Sequence, residues 1–341
     1  MRALVIRGPQ DATVSTVSPP LAGSGQVVVD VTRVGLCGTD VELFTGTMPY
    51  LRSGAQKVPM VPGHEWTGIV SAIGPQVDPS WRGQRVTGDT MLGCGACCRC
   101  RTGRHHVCAD RHEIGIRGNW PGALAEQLLV PAHALRLLPD TLDDAAGALV
   151  EPGGCALRAA TAAQVRPGER VCVFGSGTLG LLTMQFLIAR GASVEVVGVE
   201  SDALALARRL GAADVWLVDD LPDRRYDSVI DASNGSTVPQ LALNHVEPSG
   251  RVVLVGIADT PSYADLRDAV LGDITVVGVL AASAGLDGAI EEFAAGRINT
   301  AALIGATIGL AEVADVLAGR RPSSAGSGPK IQVDPRLDRA R

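Results

Sequence analysis

Four cysteines have a spacing that suits a metal ion. In GCGACCRCRTGRHHVC, residues 93–108, Cys94, Cys97 and Cys100 are three apart and Cys108 follows eight later. Four thiolates on a looping backbone form a closed tetrahedral zinc site, which has no open position and holds a lobe together without reacting. Gly93, Gly95 and Gly103 permit the tight turns around the ion. An iron–sulfur cluster is the rival use of four cysteines, and free thiols or disulfides are the bland one. The spacing favours zinc. Cys98 falls outside the pattern and reads as a bystander.

A second constellation is scattered along the chain. Cys37 lies in GLCGTD, His64 and Glu65 in PGHEWTG, and Glu151 in ALVEPGG. Singly, each has an ordinary reading: a small core residue, a hydrogen-bonded structural histidine, a helix cap. Together they offer one thiolate, one imidazole and one or two carboxylates, all at turns. Three protein ligands plus water is the pattern of a catalytic zinc. The residues alone leave the two readings evenly matched.

The third feature is VCVFGSGTLG, with Gly175, Gly177 and Gly180 in G-x-G-x-x-G spacing. Such a match is weak by itself, but here it follows an apolar strand and opens an apolar helix. The first glycine makes the turn, the second lets a pyrophosphate approach the backbone, and the third lets helix and sheet pack. Gly175, Gly177, Thr178, Leu179 and Gly180 are therefore the candidate phosphate loop, with free N–H groups at the helix start. Glu200, twenty residues past Gly180, is placed to bind ribose hydroxyls and repel a 2′-phosphate. NAD is expected. NADP stays possible, because Gly198 is an alternative equivalent of that strand end.

The elements that position these residues follow from the rest of the chain. Its 341 residues suit two domains. With 46% apolar and only 3% aromatic residues, the cores must be aliphatic. A net charge of −6 without a basic block argues against nucleic acid or an anionic membrane as partner. Val171–Ala189 is uncharged and long enough to span a bilayer, but its glycines divide it into strand, turn and helix. A soluble, cytoplasmic protein is expected. Residues 1–155 carry short β-like runs broken by Gly and Pro. From Val165 strands alternate with helices, which means a parallel, doubly wound sheet. DITVVGVLAAS reads as a long apolar edge strand inviting a second subunit.

In these motifs the chain resembles the zinc-dependent medium-chain dehydrogenases/reductases, the alcohol and polyol dehydrogenase superfamily. The resemblance rests on GLCGTD, PGHEWTGIV, CGACCRCRTGRHHVC, LVEP and FGSGTLG, all in the family's order. It implies an α/β protein with a GroES-like β-barrel catalytic domain over 1–155, rejoined by 287–341, and a Rossmann nucleotide-binding domain over 156–286. It implies two zincs: a catalytic one on Cys37, His64 and Glu151, and a structural one on Cys94, Cys97, Cys100 and Cys108. Glu65 matches an acidic residue that can approach the metal, Asp40 a partner of the zinc-bound histidine, and Thr39 the hydroxyl that takes the substrate proton. Cys155 competes with Glu151 as the third ligand. The family's alcohol dehydrogenases carry Cys where Glu151 stands, so Glu151 points to the sorbitol, threonine and glucose dehydrogenase branches. PGHEWTG also resembles aminocyclitol dehydrogenases.

The implied reaction is NAD(P)-linked oxidation of a secondary alcohol of a polyol, sugar or aminocyclitol by a homodimer or homotetramer. Glu42, Glu65, Arg117 and Asn119 are candidate hydroxyl-binding residues, with Trp66 and Trp120 as a candidate apolar floor; the equally weighted alternative is that Trp120, in GNWPGAL, only packs a turn. The alternatives are a simple alcohol dehydrogenase, a zinc-lacking quinone or enoyl reductase, and a non-catalytic NAD-binding protein.

Overall fold

The computed structural model describes residues 1–337. The chain divides into two compact units. One comprises residues 1–151, 304–326 and 330 onward; the other comprises 152–303 and 327–329.

The first unit is built on a seven-stranded sheet. Its central strand, Gln26–Gly35, buries Val27, Val28, Val29, Val31 and Val34 almost wholly and exposes only Asp30. It pairs antiparallel with Glu65–Ile73, with Gln127–Pro131 and with the late strand Lys330–Val333. Val27, Val29, Val31, Trp66, Val86 and Leu128 join one aliphatic core beneath it. Register decides the chemistry above this core. Gly35 pairs with Glu65 and also with Gln332. The chain leaving Gly35 carries Cys37, and the chain entering Glu65 carries His64, so both reach the same end of the sheet. Gly35 is a glycine for a steric reason: a Cβ there would stand 2.1 Å from Glu65 Oε2.

The second unit holds a six-stranded, all-parallel sheet. Along it the strands run Asp214–Leu217, Ser193–Gly198, Arg170–Phe174, Tyr226–Asp231, Val246–Leu254 and Thr275–Gly278. The order reverses at Arg170–Phe174, the switch point at which such sheets bind ligands. Helix Thr178–Ala189 is apolar on nearly every side and buried from Gly180 to Leu187, which explains why Val171–Ala189 looks like a membrane span. Among the described residues no helix is long and apolar enough to cross a membrane.

Two expectations differ from the structure. The chain rejoins the first unit at Ile304, not at residue 287. The reason is packing: helix Leu286–Ala294 stacks Phe293 on Phe186 with ring centroids 6.1 Å apart, and Gly153 leaves room for that ring. The same helix contacts move the first boundary to residue 151 from the expected 155. The long strand expected in DITVVGVLAAS is only Thr275–Gly278. Beyond Val279, whose N–H reaches Leu254 O, the carbonyls of Leu280 and Ala281 turn to the Arg158 guanidinium, and Ala281 takes φ +63°.

Candidate active site and metal centres

Cys37 ends the loop after the central strand and caps helix Gly38–Thr45. Asp40, in the first turn of that helix, is fully buried. Its Oδ2 accepts the Cys37 N–H at 3.0 Å and its Oδ1 accepts the Gly63 N–H at 3.1 Å. One carboxylate thus pins the two backbone segments that carry Cys37 and His64. Oδ1 also lies 3.8 Å from His64 Nδ1, too far for a hydrogen bond. Thr39 Oγ1 is 3.9 Å from Cys37 Sγ.

Cys37, His64 and Glu65 bring one donor atom each within 4.8 Å of one another. Glu151, in the first turn of helix Val150–Ala162, lies outside that tight trio yet acts on His64 electrostatically. Glu65 is engaged elsewhere. Lys330 Nζ holds its two carboxylate oxygens at 2.6 and 2.8 Å and donates a third bond to Leu36 O at 2.8 Å. Both members of this pair are almost completely buried. Removing either would leave an unpaired buried charge, at a cost of about 3–5 kcal/mol. Among the described residues no lysine or arginine forms an ion pair with Glu151, though the Lys330 charge acts on it from a distance.

The residues fit a divalent cation. His64 Nδ1 is buried without a hydrogen-bond partner, a cost few buried polar atoms carry. Burial pulls the His64 imidazolium down, but Cys37, Asp40 and Glu151 around it raise its pKa well above the ordinary value. Burial pushes the Glu151 carboxyl up to about 7, with Glu65 and Asp89 adding repulsion. A nearby cation reverses that balance by favouring the carboxylate and the thiolate.

The cysteine loop fits a second ion. Its sulfurs lie 3.9 Å (Cys94–Cys100), 3.5 Å (Cys97–Cys100) and 3.8 Å (Cys97–Cys108) apart. Four thiolates at about 2.3 Å from a tetrahedral zinc stand about 3.8 Å from each other. Backbone N–H groups of Ala96 and Cys97 pull the Cys94 thiol down to about 6. Cys98 is exposed and stays outside the group. His105, from the same loop, meets Asp89 at 2.7 Å and so ties the loop to the end of strand Arg85–Gly88.

The glycine turn of the second unit separates its three roles by contact. A Cβ at Gly175, where φ is +109°, would meet Ala232 O at 2.6 Å; one at Gly180 would meet Gly175 O at 1.9 Å. At Gly177, the N-cap of helix Thr178–Ala189, a Cβ meets nothing within 4 Å. Turn, open approach and close packing are the features a pyrophosphate cradle needs. Thr178 and Leu179 open the helix, and Glu200 sits exposed at the N-cap of helix Ser201–Arg209. Gly198 is filled by Ser176, whose Oγ would stand 2.7 Å from a Cβ there.

Other sequence-stated residues take different roles. Trp66 is wholly buried in the core and does not line a binding floor. Trp120 packs partly on that core, with Nε1 donating to Leu129 O at 3.0 Å. Asn119, at φ +58°, bonds Lys57 N and Gln56 Oε1 and so shapes a turn. Lys330 is the functional residue that sequence reasoning missed. A lysine at the head of a wholly buried strand, KIQV, was the available signal.

Comparison with known proteins agrees with this construction. Residues 23–140 match the alcohol dehydrogenase GroES-like domain and residues 178–295 the zinc-binding dehydrogenase domain. The chain is 34% identical to an L-threonine 3-dehydrogenase of Anaeromyxobacter dehalogenans (strain 2CP-C) over 277 residues, 76% of this chain and 77% of that one. It is 32% identical to an L-idonate 5-dehydrogenase of Vitis vinifera over 277 residues, 76% of this chain and 74% of that one. The alcohol dehydrogenase TADH from Thermus sp. ATN1 superposes with a TM-score of 0.88 at 28% identity, covering 98% of this chain and 99% of that one. With both domains matched in order and two donor groups in the first unit that could hold a metal ion, one of four cysteines and one of Cys37, His64 and Glu65, the chain belongs to the zinc-dependent medium-chain dehydrogenases/reductases.

Proposed function

We infer that this chain oxidises a secondary alcohol of a polyol, sugar or aminocyclitol to a ketone, with NAD as the acceptor. The observation that carries the reading is the donor cluster of Cys37, His64 and Glu65, whose ligand atoms lie within 4.8 Å of one another, with the Glu151 carboxyl acting on His64 electrostatically. The same chain bears a glycine cradle for a dinucleotide. Relatives that act on L-threonine and L-idonate support a hydroxylated substrate. Glu200 supports NAD over NADP, since a carboxylate there opposes a 2′-phosphate.

When bound, zinc supplies Lewis-acid activation of a hydroxyl, and the nicotinamide supplies the hydride acceptor. The chain's own residues do the rest. Cys37, His64 and Glu151 hold the metal. Lys330 holds both oxygens of Glu65 and so pairs that carboxylate's charge beside the ligand set. Asp40 fixes the spacing of the Cys37 and His64 segments through its two backbone bonds. Thr39 accepts the substrate proton at Oγ1 and passes it on. Cys94, Cys97, Cys100 and Cys108 hold a second zinc that stabilises the loop and takes no part in turnover. The proposed setting is the cytoplasm, where clustered thiols favour metal over disulfide.

A cofactor-reduction screen tests the reading. Formation of NADH from polyols, sugars or aminocyclitols, and not from ethanol or long-chain alcohols, is expected. Turnover confined to simple alkanols would move the chain to the simple alcohol dehydrogenases.

A further inference from the structure

A tyrosine and two arginines gathered around Glu113 have no part in the chemistry above. Tyr50 lies in the helical turn Pro49–Arg52. Its hydroxyl is 3.3 Å from Glu113 Oε1 and 3.1 Å from Arg111 Nη2. Arg111 Nε donates to the same Glu113 oxygen at 2.8 Å. Glu113 is buried, so Arg111 and Glu113 neutralise each other while fixing the hydroxyl end of the tyrosine. The face of that ring carries a third charge. The Arg117 guanidinium lies over it, 5.3 Å from the centroid. Among the described residues no carboxylate pairs with Arg117, and its side chain makes no hydrogen bond.

This segment is anchored to the metal site. Ile114 N donates to Thr90 O at 3.0 Å, and Thr90 Oγ1 donates to His64 O at 3.3 Å. Gly115, at φ +69°, presses its backbone on the residue before His64: a Cβ there would stand 2.6 Å from Gly63 O. Arg117 is two residues further on, a span of at most about 7 Å. A half-buried guanidinium has lost part of its hydration, and a partner anion restores what was lost. Stacking on a ring that is itself held by two hydrogen bonds also removes much of the side-chain entropy that binding would otherwise cost.

We propose that Arg117, shelved on Tyr50, binds an anionic group of the substrate, so that the preferred substrates are secondary alcohols carrying a carboxylate or a phosphate. Acidic or phosphorylated polyols are then favoured over neutral ones, and aminocyclitols, being cationic, are disfavoured. This assignment rests on the alcohol-oxidation reading proposed above and narrows it.

The test uses the zinc-loaded full chain and three probes on one carbon skeleton: D-glucitol, D-gluconate and D-glucitol 6-phosphate. Calorimetry reads recognition and NADH formation reads oxidation. One or both anionic probes should bind at least about tenfold more tightly than glucitol, and the stronger of the two distinguishes carboxylate from phosphate. In Arg117→Met the ratio of anionic to neutral affinity should fall toward one at an unchanged melting temperature. Arg117→Lys should recover part of it. Equal binding of all three probes by the wild type, or a ratio untouched in Arg117→Met, overturns the proposal. An anionic probe that binds but is not oxidised supports the anion site and counts against alcohol oxidation. Glucitol oxidised with no anionic preference does the reverse.

Discussion

The proposed reaction depends on a few side chains whose partners are set by short contacts. Thr39 is the residue with the most direct part in it. Its hydroxyl lies 3.9 Å from the Cys37 sulfur, close enough that it would meet an alcohol held at that ligand set. Loss of a positioned proton acceptor costs about a hundredfold or more. Thr39→Ala should therefore lower kcat by that order and keep its zinc content, as read by steady-state kinetics beside elemental analysis; unchanged turnover would remove Thr39 from the proton path. Cys37, His64, Glu65 and Glu151 were legible in the sequence as a group because their types match a ligand set and each stands at a turn. Their division of labour was not. Lys330 claims Glu65 from 265 residues away, and only the strand register at Gly35 brings the two together. Trp66 was misjudged because period-two alternation in a strand does not say which face is core, and here the indole faces inward.

The elements were easier to read where the pattern was local. The strand–turn–helix of the glycine cradle spans Arg170–Ala189 as the sequence implies, because Gly180 answers a contact five residues back and Gly175 one at the end of a neighbouring strand, while Gly177 is left open. The edge strand was overestimated because apolar residues (Val279, Leu280, Ala281) continue past Gly278, whereas the ladder stops where Arg158 takes the next carbonyls. The cysteine loop was legible from spacing alone, yet it carries only a short helix, Cys98–Arg101, and a single turn, His105–Val107. So little regular structure cannot hold its own shape, and the ion must supply the missing cross-links. Cys97 contacts two of the other three sulfurs. Cys97→Ser should drop bound zinc by one equivalent and lower the melting temperature by on the order of 10 °C. Full zinc content and an unshifted transition in that variant would mean that the loop stands without metal.

At the scale of the whole molecule, alternation of strands and helices disclosed two domain types, but the boundaries moved, since Phe293 and Gly153 commit helix Leu286–Ala294 and helix Val150–Ala162 from Pro152 onward to the second unit. The second unit leaves an open edge. Thr275–Gly278 ends its sheet, and nearby Val270 and Leu271 are 80% and 86% exposed. Unpaired edge groups beside exposed aliphatics suit a second copy of the chain. A dimeric or tetrameric mass by light scattering is expected, with Leu271→Glu shifted toward monomer; a monomeric wild type would contradict it. The central claim is that one chain holds two zinc sites of different kinds, a closed one of four cysteines and an open one at Cys37, His64 and Glu151. Zinc per chain, by elemental analysis of protein purified without added metal, tests it most directly. Two equivalents are expected. A single equivalent, retained in Cys37→Ser and lost in Cys97→Ser, would leave the structural ion in place and contradict the catalytic one.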